Sequence, residues 1–475
     1  MPRAHHLSRI LTGTVENVVQ DETGTARSYA EIDHTAARIA EDLRMAGLMP
    51  DQPVHVLIAN RVLDLAALFG VWKAGGVAVP LHSNAAETTR SAVRTQTRAR
   101  LQVADGAVSL IAETPPPPRP LLNGAALIIF TSGTTGKPKG VVLGHDRFAA
   151  KLGVLQNLLG LTAHDTILLP LQLVFVFGLW VALLTLKTGA RLELVGKFSP
   201  VALRARLHEA TVLAAVPSML RAVFAHGTVH APHLRTIMTG GEALGAHLSS
   251  EMRRVLPHAG IYDLYGLTET GSCDFCLRPE EADAGMNTIG RPTEQIAYRI
   301  HVAEGEESVL GVAEGAPSGE LLIRSPFGML GYLDNPELTK ASFIDGYFRT
   351  GDLVRERADG RVEIVGRIKE MISRGGNKIA PAEIEALLST HPAIAQVLCA
   401  GVPDSRLGEA LHAAVVLKAG ATVEAEALRD WCRDKIERFK IPDKIHILDA
   451  LPTGPTGKAS RAGLKAIAEQ NLGHH

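Results

Sequence analysis

Apolar and polar positions alternate along this chain in two rhythms, one helical and one extended. From Ser28-Tyr29-Ala30-Glu31-Ile32 through Ala46 the pattern is helical, and Gly47 is placed to end it. Val54-His55-Val56-Leu57-Ile58 reads as a strand, Leu63 to Lys73 as a helix, and Val77-Ala78-Val79-Pro80 as another strand. The alternation resumes with a strand at Thr211-Val212-Leu213-Ala214-Ala215-Val216-Pro217, a helix opening at Ser218-Met219-Leu220, and a strand from Thr236 that ends in Gly240-Gly241-Glu242. This spacing predicts an α/β fold with a largely parallel sheet. Ile167 to Leu186 is apolar for about the span of a bilayer. Pro170, Gln172 and Gly178 interrupt it, however, and Val174-Phe175-Val176-Phe177 is β-branched and aromatic, so a buried strand followed by a buried helix is expected.

Gly319 to Asp352 is rich in strand and turn residues and predicts a smaller β subdomain. Gly366-Arg367-Ile368-Lys369 and the glycine-rich Ser373-Arg374-Gly375-Gly376-Asn377 set off a last segment of about one hundred residues, a small-domain length. The expected division is therefore 1–366 and 367–475. A chain of 475 residues also exceeds what one core normally sustains. Pro115 to Pro118, with Pro120 after them, predict an extended connector.

Forty-nine basic and 50 acidic residues leave a net charge of −1, so nothing electrostatic favours nucleic acid or an anionic membrane, and partners are sought among small molecules. Four cysteines make no disulfide framework and suit a reducing, cytoplasmic setting. Cys273 and Cys276 form a C-x-x-C without a second pair, which reads better as small packing residues near a pocket than as a zinc or redox site. Met1 to His6 lacks the apolar core of a signal peptide.

After the apolar run Ala125 to Phe130 comes Thr131-Ser132-Gly133-Thr134-Thr135-Gly136-Lys137-Pro138-Lys139-Gly140, with three glycines, four hydroxyls and two lysines in ten residues. Glycines let backbone N–H groups converge, hydroxyls add donors, and lysines offset a polyphosphate. The spacing is not that of a P-loop, which needs four residues between its glycines and a hydroxyl after the lysine. Pro138 opposes a helix at Lys137, so a free flap between two strands is expected.

Four further stretches join this loop in order: Tyr265-Gly266-Leu267-Thr268-Glu269, Tyr347-Phe348-Arg349-Thr350-Gly351-Asp352, Gly366-Arg367-Ile368-Lys369 and Pro452-Thr453-Gly454-Pro455-Thr456-Gly457-Lys458. Together they resemble the adenylate-forming superfamily of acyl-CoA synthetases, peptide-synthetase adenylation domains and luciferases, over essentially the whole chain from Ser28 to Lys458. The resemblance implies a large N-terminal domain of layered α/β subdomains with a small β subdomain, and a small, mobile α+β C-terminal domain. It implies ATP, Mg²⁺ and CoA as the small molecules used. A carboxylate would attack the α-phosphorus of ATP, giving an acyl-adenylate and pyrophosphate, and a thiol would then displace AMP.

By the same resemblance, Thr131, Ser132, Gly133, Thr134, Thr135 and Lys137 cover the β- and γ-phosphates. Glu269, with Thr268 beside it, holds Mg²⁺. Tyr265 and Gly266 meet adenine across from Gly241 and Glu242, and Asp263 partners its amino group. Asp352 takes the ribose hydroxyls, and Arg367 reaches ribose or phosphate. Lys458 would stabilise charge developing in the adenylation transition state, acting electrostatically rather than by proton transfer. Lys369 occupies the hinge position, and Gly375 and Gly376 lie on the CoA path.

The acid is less defined. Amino-acid-activating relatives carry an aspartate after the position of Pro170; this chain has an apolar stretch there, so a buried ammonium would go unpaired. Phe175 stands where acyl-CoA synthetases commonly show histidine. A wall of Val174, Phe175, Phe177, Val216, Met238 and Gly240 favours a fatty, alicyclic or aromatic acid, with Cys273 and Phe275 as further lining. Ligases that load carrier proteins have an insertion ahead of the hinge. Only thirteen residues, Leu353 to Val365, separate Asp352 from Gly366, so CoA is the expected acceptor, with a carrier protein as the alternative and a catalytically inactive nucleotide-binding protein as a remote one. The short segment between Pro80 and Thr131 is a further departure from the family.

Overall fold

The computed structural model describes residues 6–11, 17–131, 138–225, 228–302, 318–433, 435–452 and 459–472. Its first long helix, Tyr29–Met45, starts at a reciprocal cap. The Ser28 hydroxyl accepts from the Glu31 amide at 3.2 Å, and the Ser28 amide donates to the Glu31 carboxylate at 2.8 Å. The helix buries one stripe, Tyr29, Ile32, Ala36, Ile39 and Leu43. Helices Val62–Ala74 and Val176–Thr188 are instead buried almost all round, because they share one core with strands of two large sheets. The apolar run from Ile167 accordingly resolves into strand Thr166–Leu169 and helix Val176–Thr188. Among the described residues no helix is long and apolar enough to cross a membrane.

One large sheet has seven strands, in the order Gly331–Tyr332, Lys139–Gly144, Ala125–Thr131, Val77–His82, Pro53–Ile58, Leu101–Ala104 and Ala107–Leu110. Its middle is parallel, and Ala125–Thr131 with Lys139–Gly144 forms an antiparallel hairpin. The other has nine strands, with Thr166–Leu169, Val212–Ala214, Thr236–Gly240 and Gly260–Tyr265 parallel and adjacent. The strand expected over Thr211 to Pro217 is shorter because Pro217 takes the first turn of helix Pro217–Phe224, where its missing N–H costs nothing. Pro120, expected in the extended connector, similarly opens a 3-10 turn, Pro120–Leu122.

An antiparallel sheet of Ala297–His301, Gly319–Arg324, Tyr347–Glu356, Phe343–Ile344 and Val362–Arg367 makes the small β unit. Beyond Arg367 a further five-stranded sheet and helices Pro381–Leu388 and Ala425–Cys432 enclose a core of their own, including Ile372, Ile384, Leu411, Val415 and Leu428.

Candidate active site

The strands on either side of the phosphate-type loop pair as a hairpin, from Ala125↔Gly144 to Thr131↔Lys139. Ser132, Gly133, Thr134, Thr135 and Lys137 lie outside the described residues, as does Lys458. Thr131 and Lys139 therefore mark the place of the loop at the end of the sheet.

Beside it, strand Gly260–Tyr265 ends and the chain folds into a tight turn. Thr268–Thr270 form a 3-10 turn, and Gly271, Ser272 and Cys273 follow with φ of +94°, +69° and +50°. Two consecutive non-glycine residues in the left-handed region are strained, which the surroundings must overdetermine. They do so in three ways. Asp274 N donates to Tyr265 O at 2.7 Å, and Ser272 N to Leu267 O at 2.8 Å. Asp274, fully buried, accepts from the Thr270 hydroxyl and from Leu267 N. From below, Lys151, only 2% exposed, donates to Cys273 O at 2.7 Å and to Thr293 Oγ1 at 3.3 Å. The turn thus presents Glu269, half-buried, with the Tyr332 hydroxyl donating to its Oε1 at 3.0 Å. Glu269 Oε2 has no hydrogen-bond or ion-pair partner among the described residues. One carboxylate held through a single oxygen among the described residues, beside a phosphate-type loop, suits Mg²⁺, a hard cation that takes one or two carboxylates and fills its other positions with phosphate and water.

Asp352 is 1% exposed and stands opposite Arg367 in the strand pairing. Tyr265 Oη donates to its Oδ2 at 2.6 Å, and Arg367 Nε lies 2.7 Å from its Oδ1. Burial pushes this carboxyl up, while Arg367 and the Tyr265 hydroxyl pull it back. A carboxylate offers about four lone-pair sites, so Asp352 keeps acceptor capacity beyond these two partners. The Thr350-Gly351-Asp352 turn is held by Glu320, which the sequence reading missed: its carboxylate accepts from Gly351 N at 3.1 Å and pairs with Arg349 at 2.7 Å, and Gly351 sits at φ +72°.

Tyr265, Gly266, Gly240, Gly241, Glu242 and Asp263 all gather at the carboxyl ends of two parallel strands, where open α/β sheets bind ligands. The uses of the glycines differ from expectation. A Cβ on Gly240 would meet Leu264 O at 2.2 Å, and one on Gly266 would meet Cys273 N at 2.3 Å, so those bare surfaces admit neighbouring backbone rather than ligand. Gly241 has φ +80°. The Glu242 carboxylate turns to Ser218 N and Oγ at 3.1 and 3.0 Å, with Arg221 at 3.4 Å. Burial pushes Asp263 up to about 7. It stands opposite Thr239, whose buried hydroxyl has no partner among the described residues.

That raised value makes a prediction. The folded protein holds the Asp263 proton more tightly than the unfolded chain, so this group's contribution to stability is present below about 4 and is lost as pH rises towards 7. On the expectation that Asp263 accepts from the adenine amino group, ionisation in the same window strengthens that acceptor, so apparent ATP affinity should weaken as pH falls below 7. Asp263→Asn should flatten both profiles, measured by thermal unfolding and by ATP titration from pH 5 to 8; unchanged slopes would refute the assignment.

Of the acyl wall, Phe175 is 43% exposed at the cap of helix Val176–Thr188, Val174 and Val176 are 9% exposed, and Phe177 stacks on Trp180 at 5.4 Å. Val216 is half-buried, whereas Met238 is wholly inside the core. Phe275 is also wholly buried, edge-on to Tyr265 and Tyr298, and so supports the Tyr265 ring from behind. Cys273 and Cys276 are buried thiols, both pushed up by burial, Cys273 to about 12.

Lys369 lies in the one-turn 3-10 segment Ile368–Glu370 that follows Arg367. Gly375 and Gly376, at φ +55° and +86°, form the two-residue turn of the hairpin Ile372–Arg374 to Asn377–Ile379, and a Cβ on Gly376 would meet nothing within 4 Å. Arg461 binds Glu370 at 2.8 Å and also Glu385, tying the start of helix Arg461–Leu472 to that segment.

The sequence profile of the AMP-binding enzyme family matches residues 12–115 and 99–333, and that of the AMP-binding enzyme C-terminal domain matches 383–458. A feruloyl-CoA synthase of an Amycolatopsis species is 31% identical over 461 residues, covering 92% of each chain. An oxalate–CoA ligase of Arabidopsis thaliana is 34% identical over 349 residues, covering 71% of this chain and 66% of that protein. ATP-bound MatB from Rhodopseudomonas palustris matches in structure with a TM-score of 0.87 at 25% identity, covering 98% of this chain and 99% of that one, and apo MatB matches with 0.76. With both profiles matched and a relative 31% identical over 92% of this chain, the chain belongs to the AMP-binding, adenylate-forming enzymes, in the branch of the acid–CoA ligases.

Proposed function

We propose that this chain activates a carboxylic acid with an uncharged fatty, alicyclic or aromatic body and transfers it to CoA, in the cytoplasm. The observation that carries the reading is the joined set Tyr265–Asp352–Arg367, set beside Glu269 and the phosphate-type hairpin at the strand ends. A carboxylate oxygen attacks the α-phosphorus of ATP, the bond to the bridging β-oxygen breaks, and pyrophosphate leaves. The thiolate of CoA then attacks the acyl carbon and AMP leaves. Asp352 and Arg367 hold the ribose, Tyr265 and the Gly241-Glu242 backbone enclose adenine, Asp263 accepts from its amino group, and Thr131 to Lys137 orient the leaving pyrophosphate. Glu269 would hold Mg²⁺, whose charge would offset that of the phosphates. Lys458 meets the charge that develops at the carboxylate and α-phosphate. Residues 367–475 act as the mobile domain, turning about Lys369 and presenting the Gly375-Gly376 turn along the pantetheine path; the open space at Gly376 supports that role.

The test is incubation with ATP, Mg²⁺ and a panel of carboxylic acids, with and without CoA, following pyrophosphate and thioester. Acid-dependent pyrophosphate and CoA-dependent thioester are expected. Pyrophosphate without thioester would point to a carrier protein as acceptor, and silence with every acid would sink the reading.

A further inference from the structure

The outermost strand of the seven-stranded sheet, Gly331–Tyr332, is two residues long and comes from within the small β unit in sequence, between its strands Gly319–Arg324 and Phe343–Ile344. It pairs with the phosphate-hairpin strand, Tyr332 opposite Val141. The segment around it makes contacts of two kinds. Leu330 N and Leu333 N donate to Val142 O and Gly140 O, both at 2.8 Å, which fixes it to the hairpin. Met329 N donates to Glu269 O at 2.8 Å and the Tyr332 hydroxyl to Glu269 Oε1 at 3.0 Å, which fixes both the backbone and the side chain of Glu269. The segment is itself braced, with Arg147 donating to Gly328 O and Met329 O at 2.9 and 2.7 Å, and Tyr332 N donating to Thr339 Oγ1 at 2.9 Å. Tyr332 is 5% exposed, and the Lys139 ammonium lies 5.7 Å from its ring centroid.

We infer that Tyr332 is a positioning residue for the metal–nucleotide complex: its hydroxyl holds Glu269 Oε1 and leaves Oε2 for the cation, and its ring seats Lys139 at the base of the phosphate hairpin. The physical reason is conformational. A glutamate has three rotatable bonds, and an unheld carboxylate would lose that freedom only on meeting the cation, at a cost to affinity. One residue therefore couples the two parts that contact the pyrophosphate end of ATP, which the sequence places far apart. The inference rests on reading Glu269 as the cation carboxylate.

The experiment measures ATP binding by calorimetry with Mg²⁺ and with EDTA, and the half-saturating Mg²⁺ for pyrophosphate release, in wild type, Tyr332→Phe, Tyr332→Leu and Glu269→Gln. Tyr332→Phe keeps the ring and should weaken Mg·ATP binding and raise the half-saturating Mg²⁺ about tenfold, the factor expected for one charge-assisted hydrogen bond. Its ATP affinity in EDTA should stay within about twofold of wild type, since the ring that seats Lys139 is kept. Tyr332→Leu, checked for folding by circular dichroism, should weaken binding in EDTA as well, because Lys139 loses its seat. Unchanged Mg·ATP affinity in Tyr332→Phe, or an equal loss with and without Mg²⁺, would overturn the positioning role. If Glu269→Gln abolishes the Mg²⁺ dependence while Tyr332→Phe retains it, the Tyr332 role alone falls. If Glu269→Gln keeps the full dependence, the reading of Glu269 falls and this inference with it.

Discussion

Lys458→Ala is expected to slow acyl-adenylate formation about 10²- to 10³-fold, the loss usually seen when one preorganised group facing transition-state charge is removed. Thioester formation from a supplied acyl-adenylate should stay within about twofold of wild type, because the charge that builds in that step sits on a different set of atoms. As the carboxylate closes on the α-phosphorus, two negatively charged groups approach and charge builds on the non-bridging oxygens. An ammonium there strengthens as the reaction advances and contributes little to the ground state. The far end of the Lys458 segment is fixed in the structure: Arg461, three residues on, is bound to Glu370 in the Ile368–Glu370 turn and to Glu385. With Ile368–Glu370 as the proposed hinge, a change there would be felt just after Lys458, as a device that withdraws the lysine between half-reactions requires. Single-turnover measurement of pyrophosphate release, set against AMP release from synthetic acyl-adenylate and CoA, separates the two steps. Equal losses in both would contradict the two-state domain movement.

The parts of the site legible in the sequence are those whose chemistry is local. Tyr265 and Glu269 lie within one five-residue turn, and Thr350-Gly351-Asp352 is another, so their spacing alone carries the geometry. What stayed hidden depends on contacts between distant residues. Tyr332 reaches Glu269 across 63 positions and Lys151 reaches Cys273 across 122. Neither has a local pattern to mark it: Lys151 on helix His145–Leu159 reads as one more polar helical residue, and Tyr332 as an ordinary strand aromatic. The glycines mislead in the opposite sense. Gly240 invites a ligand in the sequence, yet the Leu264 carbonyl of the next strand fills its open side. The fold was more readable, because a buried helix such as Val176–Thr188 and a buried strand such as Thr166–Leu169 differ in length and punctuation even when both are wholly apolar.

Lys151→Met should be the most destabilising single change near the site, by about 3–5 kcal/mol, the usual cost of stripping a buried charge of its partner. Lys151 is 2% exposed, donates to Cys273 O and Thr293 Oγ1, and lies 5.2 Å from the Phe327 ring centroid. Asp274, fully buried, is held by Thr270 and Leu267 on one oxygen, while its Oδ1 has no hydrogen-bond partner among the described residues. Burial has already pushed this carboxyl up to about 6, against the pull of Lys151. Methionine fills the same volume but supplies no charge and no donor, so Asp274 must either stay ionised without a counter-charge or take up a proton. The sign of the pH dependence follows. A carboxyl whose folded pKa lies above its unfolded value of 3.8 contributes stability at low pH and loses it as pH rises through the folded value. Removing Lys151 raises that value further, so the deficit against wild type should be smallest near pH 5 and widest near pH 8. Adding Asp274→Asn keeps the acceptor for Thr270 but removes the charge, and should recover much of the loss at pH 8 and little at pH 5. Urea unfolding of wild type, Lys151→Met, Asp274→Asn and the double variant at both values measures all four proteins. A double variant whose losses simply add at pH 8, or a deficit that ignores pH, would show that Lys151 supports the Glu269 turn through packing and hydrogen bonds alone.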